Sequence, residues 1–231
     1  MMPRLQALLW DVDGTLADTE QQGHRPAFNA AFAAAGLPWH WDTSTYQRLL
    51  HTSGGRERIL AWMAELGQPD ERLAAELHRS KQQHYRDRLK RGEVPLRPGV
   101  VALASEAAAA GLQQWIVTTS GRAAVAALLQ SSPELSNCFG GWICGDDVQR
   151  KKPDPEAYQL ALRHLKLPTA EVLAIEDSPQ GLMAAKGAGL EVVITTDNWS
   201  GGAAALAEAA LVVEHLAQGP VTLKQLSALL S

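Results

Sequence analysis

Two aspartates separated by one residue, Asp11 and Asp13, follow the apolar run Ala7-Leu8-Leu9-Trp10 and precede Gly14-Thr15-Leu16. If residues 7–10 form a strand, Asp11 stands at its carboxyl edge, and a turn at Gly14 brings Asp13 back beside it. Carboxylates this close repel, so both stay ionised at neutral pH only beside a cation, and hard oxygen donors suit Mg²⁺. An ionised aspartate can attack a phosphoryl phosphorus and form an aspartyl-phosphate. The second aspartate can protonate the leaving oxygen and then activate water. The same residues also fit a plain Asp-Gly turn after a strand, which is common.

Three further clusters have the same character. Glu176-Asp177-Ser178 follows Val172-Leu173-Ala174-Ile175, and this acidic pair at another strand end completes an oxygen donor set for Mg²⁺. Asp11, the Asp13 carbonyl and Asp177 would suffice, with Glu176 in direct or outer contact; Asp177 or Ser178 would also cap the following helix. Ile116-Val117-Thr118-Thr119-Ser120 is a strand ending in hydroxyls, which can hold a phosphate oxygen or simply cap a helix. In Arg150-Lys151-Lys152-Pro153 a lysine beside a transferring phosphoryl group would neutralise developing charge, although a basic pair before a helix also fits a solvated surface.

The elements that must carry these residues alternate along the chain. Short apolar runs (5–10, 114–117, 142–144, 172–175 and 192–195) are separated by helical patterns at 99–110, 122–130, 154–165, 181–188 and 203–209. That rhythm indicates βαβ units and a parallel sheet buried on both faces, with ligands at the carboxyl ends of the strands. Residues 19–96 break it, with helical patterns at 26–35, 46–50, 57–66 and 70–89 and no convincing buried strand. This block reads as a helical cap inserted into an α/β core, returning through Pro95-Leu96-Arg97-Pro98-Gly99. The expected division is a core of 1–18 and 97–231 and a cap of 19–96.

Composition narrows the function classes. The 231 residues carry 21 Lys+Arg against 25 Asp+Glu, a net charge of −4, without the basic balance of a nucleic-acid binder. No apolar run reaches the ~18 residues of a membrane span. The first residues are too short a run for a secretory signal. Cys138 and Cys144 are expected to be reduced packing residues, and the protein is expected to be cytoplasmic and monomeric, with no nucleic-acid or membrane partner.

Taken in order, these clusters resemble the motif set of the haloacid dehalogenase superfamily of aspartate-nucleophile phosphohydrolases. Asp11 and Asp13 match its first motif, Thr119 its second, Lys152 beside Pro153 its third, and Glu176 with Asp177 its fourth. The resemblance implies a Rossmann-like core with helices on both faces of a parallel sheet, plus an inserted α-helical cap. It implies Asp11, Asp13, Thr119 and Lys152 as catalytic residues, with Asp11, Asp13, Glu176 and Asp177 at Mg²⁺.

The run Asp18-Thr19-Glu20 with His24-Arg25 and Ala27-Phe28-Asn29, then Trp41-Asp42, Tyr46, Gly54-Gly55-Arg56-Glu57-Arg58-Ile59 and Leu96-Arg97-Pro98-Gly99, is similar to CbbY-like proteins. These dephosphorylate xylulose-1,5-bisphosphate, an inhibitor of Rubisco. Arg56 departs from the lysine of that group and Trp10 from the superfamily's usual Phe. The similarity weakens after about Asn198. The implied substrate is a sugar bisphosphate, whose second phosphate calls for cations away from Asp11. Glu20, His24, Arg25, Gly54, Gly55, Arg56, Lys81, Thr119, Ser120 and Lys152 are the substrate-binding candidates. Arg58 and Lys81 also fit a solvated helix face, and that is the expectation for both. Trp39, Trp41 and Trp62 are expected to build the cap core. The remaining histidines, including His78 and His164, lack partner spacing and are expected to be structural or exposed. Asp146-Asp147 is expected to be an exposed turn. The rivals are a phosphosugar mutase on the same core, a non-catalytic phospho-acceptor domain, which would need neither Asp13 nor a large insert, and a binding protein.

Overall fold

Strand β1 (Ala7–Trp10) is buried along its whole length, as a strand covered by helices on both faces must be. It lies at the centre of a six-stranded sheet with β2 (Gln113–Val117), β3 (Gly141–Ile143), β4 (Val172–Glu176), β5 (Glu191–Thr195) and β6 (Leu211–Val213). The order is β3-β2-β1-β4-β5-β6 and every neighbouring pair is parallel. This is the doubly wound arrangement expected for an α/β core. A computed structural model describes residues 5–52, 54–196, 203–219 and 221–230; the outer ends of the expected core, Met1 and Ser231, lie outside them, as does Asn198.

The α-helices are α1 (Arg25–Ala34), α2 (Thr43–Leu49), α3 (Gly55–Glu65), α4 (Glu71–Lys90), α5 (Val100–Ala109), α6 (Arg122–Ser131), α7 (Pro133–Ser136), α8 (Glu156–Leu165), α9 (Pro179–Gly187) and α10 (Leu223–Ala228). The chain divides into two compact units, one running to Asp18 and resuming at Pro95, the other Thr19–Val94. In the sheet unit, α8 and α9 cover one face, where Leu9, Ala174 and Val192 pack with Tyr158, Leu165 and Leu182 in one buried cluster. On the opposite face Trp10 Nε1 donates to Gln114 Oε1 at 3.1 Å, and Gln114 Nε2 donates to the Ala104 carbonyl of α5 at 2.9 Å. Both buried polar groups are thereby satisfied.

Two elements near the carboxyl end, β6 and α10, are not expected from the apolar pattern. The helix expected over 203–209 is a single 3₁₀ turn, Ala203–Leu206. The chain winds outward from β1 to β3 and then returns to β4, so the reversal falls between β1 and β4. Crevices at such reversals open at the carboxyl ends of the strands.

In the helical unit, a wide π turn (Glu20–His24) runs straight into α1. Gly23 is buried in that turn, where an added Cβ would lie 2.7 Å from the Tyr85 ring, so only glycine lets the wide turn reach α4. Phe28, Phe32, Trp41 and Tyr46 are fully buried together. The Asn29 side chain holds the Trp41 main chain on both sides, at 2.8 and 2.9 Å. Asp42 and Asp70 accept from the Thr45 and Leu73 amides and cap α2 and α4.

Candidate active site

The register of β1 against β4 pairs Trp10 with Ile175, and the Asp11 amide donates to the Ile175 carbonyl at 3.0 Å. Asp11 and Glu176 therefore emerge side by side from adjacent strand ends, at the reversal of the sheet. Lys152, on the loop before α8, places Nζ 2.6 Å from Asp11 Oδ1, 2.5 Å from Glu176 Oε1 and 2.8 Å from the Val117 carbonyl. All three ammonium hydrogens have an oxygen acceptor. Lys152, Asp11 and Glu176 are all buried, so the two ion pairs form away from solvent. The Tyr158 hydroxyl on α8 donates to Glu176 Oε1 as well.

Burial raises the Asp11 carboxyl well above the ordinary carboxylate range; Lys152 pulls it down, while the Glu176 and Asp13 carboxylates push it further up. Burial lowers the pKa of Lys152, but Asp11 and Glu176 outweigh it and hold it above that of an ordinary lysine. Burial and the Glu176 carboxylate raise the Tyr158 phenol, so its hydroxyl remains a donor.

Asp11, Glu176 and Asp177 place carboxylate oxygens within 4.8 Å of one another. Three carboxylates and the Lys152 ammonium leave two formal negative charges. An all-oxygen donor set of that net charge fits a hard divalent cation such as Mg²⁺. Ser178, not Asp177, caps α9, its Oγ accepting from the Gly181 amide at 3.2 Å. Gly181 itself faces the Glu176 carboxylate, which is the first group an added Cβ would meet.

Asp13 leaves the strand end in a tight loop, in which the Val12 carbonyl accepts from Thr15, Leu16 and Ala17, and Gly14 takes φ +81°. Its Oδ2 accepts from Ser120 Oγ at 2.6 Å, so the side chain of this candidate metal residue is directed to Ser120, outside the cluster of three carboxylates. Thr119 is exposed at the end of β2, and the Thr118 hydroxyl accepts from the Ser120 amide. Asp146 and Asp147 form more than an exposed turn. Asp146 accepts from the Arg122 amide, and Asp147 accepts from the Cys144 amide and the Arg122 guanidinium. Together they tie the loop after β3 to the start of α6.

The remaining candidates stand in the helical unit. Glu20 accepts from the Tyr46 hydroxyl, to which Arg58 Nη1 also donates at 3.0 Å. The His24 ring lies 4.0 Å from that of Tyr85, centre to centre and tilted by 43°, with its Nδ1 2.9 Å from Lys81 Nζ. Arg25 is half-buried, and Arg56 is exposed beside Glu57 and Glu71. Gly54, at φ +91°, precedes Gly55 at the start of α3. Arg58 and Lys81 overturn the expectation of a solvated face, with only 9% and 4% exposure. Arg58 lies 5.2 Å from the Tyr46 ring centre, and Lys81 lies 4.9 and 5.0 Å from those of Phe28 and Tyr85, so their charge rests on ring faces. Trp41 is core, as expected, and His164 stacks on Trp115.

Tyr158 and Gly181 were not among the expected site residues. A tyrosine on the buried face of α8 was the available signal for the first, because a buried phenol needs a partner.

A family model for haloacid dehalogenase-like hydrolases matches residues 5–189. The CbbY protein of Rhodobacter capsulatus is 45% identical over 201 residues, 86% of this chain and 88% of that protein. The crystal structure of CbbY from Rhodobacter sphaeroides in complex with phosphate superposes with a TM-score of 0.81 at 38% identity, covering 93% of this chain and 96% of that one. A mutant of the same protein in complex with xylulose-(1,5)bisphosphate gives a TM-score of 0.80 at 38% identity and the same coverage. The chain thus belongs to the haloacid dehalogenase-like hydrolases, has CbbY among its relatives, and is a phosphatase.

Proposed function

We propose that the chain is a Mg²⁺-dependent phosphatase of a sugar bisphosphate, xylulose-1,5-bisphosphate, working through an aspartyl-phosphate on Asp11. The observation that carries this reading is the convergence of Asp11, Lys152 and Glu176 at the neighbouring ends of β1 and β4. The substrate comes from the likeness to CbbY, one of whose structures holds that bisphosphate.

In the first half-reaction an Asp11 carboxylate oxygen attacks phosphorus, the P–O ester bond breaks, and Asp13 gives its proton to the departing alkoxide. In the second, water loses a proton to Asp13 and attacks phosphorus, and the bond to Asp11 breaks to release inorganic phosphate. Ser120 orients Asp13 through the hydrogen bond to Oδ2. Lys152 favours the ionised form of Asp11 against its burial and, with the Thr119 hydroxyl, balances charge on the transferring group. Asp11, Asp177 and Glu176 would hold Mg²⁺, which supplies charge stabilisation at the phosphoryl oxygens. His24, Arg25, Arg56 and Lys81, with Glu20 and the Gly54-Gly55 turn, are assigned to the remainder of the substrate.

The deciding experiment follows inorganic phosphate and sugar products from a panel of sugar mono- and bisphosphates, with and without Mg²⁺. Asp11→Asn should lower turnover at least ~1000-fold with the fold unchanged by circular dichroism. Full Mg²⁺-dependent phosphate release by that variant would sink the mechanism. An isomeric sugar phosphate in place of inorganic phosphate would make the enzyme a mutase. Preference for a hexose monophosphate or phosphoglycolate would remove the substrate assignment alone.

A further inference from the structure

The chain re-enters the sheet unit through Leu96 and Arg97, and the side chain of Arg97 gathers carbonyls from three separate segments. Nη1 donates to the Gly14 carbonyl, and Nη2 donates to the Thr196 and Glu214 carbonyls at 2.6 and 2.5 Å. The latter two lie just beyond the ends of β5 and β6. The Arg97 amide donates to the Leu16 carbonyl at 2.9 Å, while Leu96 bridges antiparallel to Ala17. Arg97 therefore grips the loop of residues 12–17 at two points, by main chain at Leu16 and by side chain at Gly14. Asp13 precedes the second grip directly.

Only a guanidinium has the planar fork of donors to hold three carbonyls from three directions, and it carries its charge at any working pH. The rest of the loop is closed on itself: Gly14 N–H donates to the Ala17 carbonyl, and Val12 O takes three amides. The Gly14 carbonyl is the point where this small closed turn is anchored to the far strands. Ser120 sets the Asp13 carboxylate from the other side.

We propose that Arg97 is a positioning residue for Asp13, fixing the loop so that the carboxyl meets the leaving oxygen in the first half-reaction. This rests on the reading of Asp13 as proton donor. Displacements near 1 Å at a reacting group cost on the order of 100-fold in rate, so a lost anchor need not unfold anything to be felt. The loss should be selective. A leaving group that departs readily as its anion needs little help from the acid, whereas a basic one depends on it.

The test compares kcat/KM for phenyl phosphate and p-nitrophenyl phosphate at saturating Mg²⁺ in the wild type, Arg97→Met, Arg97→Lys, Asp13→Asn and the Arg97→Met/Asp13→Asn double variant. The expected result is a loss of about 10-fold or more on phenyl phosphate in Arg97→Met, with p-nitrophenyl phosphate held within about 3-fold. Arg97→Lys, with fewer donors, should show the same selectivity to a smaller degree, and decides alone if the methionine variant does not fold. On the Asp13→Asn background the Arg97 change should add no further selectivity, because coupled residues are not additive. Equal losses on both substrates, or none, in the Arg97 variants would overturn the proposal if Asp13→Asn itself discriminates between the substrates. If Asp13→Asn does not discriminate, the proton-donor reading fails and the proposal falls with it.

Discussion

Each of the two units buries a lysine, and they do so by opposite means. In the sheet unit Lys152 is enclosed by two carboxylates and a carbonyl, all within 2.8 Å. In the helical unit Lys81 lies across the faces of Phe28 and Tyr85 with His24 against its nitrogen, and Arg58 repeats the pattern on Tyr46. The first environment is anionic and makes the ammonium indispensable, since without it Asp11 and Glu176 face one another in a dry site. The second holds its cations against the faces of aromatic rings. The carboxylate cluster of the sheet unit has the oxygen donors that a hard divalent cation takes, whereas the cations of the helical unit rest on ring faces.

Lysine-to-methionine substitution in each unit probes this contrast most strongly. Lys152→Met should cost about 3–5 kcal/mol, because it strands buried carboxylates, and should reduce phosphate release at least ~100-fold. Lys81→Met should change stability by less than about 1 kcal/mol, since methionine packs well against aromatic rings. Urea unfolding of both variants at neutral pH checks this. Comparable losses in the two would mean that Lys81 relies on a counter-ion as heavily as Lys152 does, and the contrast would break.

A finer probe stays within the anionic cluster. Glu176→Gln keeps the side-chain shape but removes one of the charges facing the proposed ion, and should weaken Mg²⁺ binding by about 10–100-fold in calorimetric titration. Gly181→Ala should weaken it too, by a smaller factor, since its methyl group can fit only if the Glu176 carboxylate moves. Unchanged Mg²⁺ affinity in both variants would place the ion away from Glu176 and reduce the anionic unit to a structural ion-pair network.

The two regions also differ in how openly the sequence announces them. Asp11, Asp13, Lys152, Glu176 and Asp177 each stand at the end of a short apolar run or beside a proline, so strand-end geometry is visible in local pattern. Tyr158 is only half legible: a tyrosine on the buried face of α8 calls for a partner, but that partner, Glu176, lies on a different element. Arg58 and Lys81 read as solvated because a charge on a helix looks exposed until Phe28, Tyr46 and Tyr85 are brought in from distant segments. Strand β6 is three residues long and only partly buried, too little for a periodic signal. Helix α10, by contrast, carried a legible mark in Thr222 and Gln225, which form a capping box.

The smallest predicted effect concerns a half-buried histidine of the helical unit and is read through pH. His78 is half-buried on α4 and packs on the first residue of α3, where a Cβ at Gly55 would lie 2.9 Å from its ring. Burial lowers its pKa from the ordinary 6.5; the Lys81, Arg56 and His24 charges act in the same direction, and Glu57 opposes them. The folded state therefore prefers the neutral ring. The stability this contributes is complete above pH 6.5 and is lost as pH falls through the depressed folded value. Wild-type protein should lose more thermal stability between pH 7.5 and 5 than His78→Gln, by less than about 1 kcal/mol because the ring is partly in water. Equal slopes for the two proteins would show that neither burial nor the neighbouring charges disfavour the protonated His78 ring.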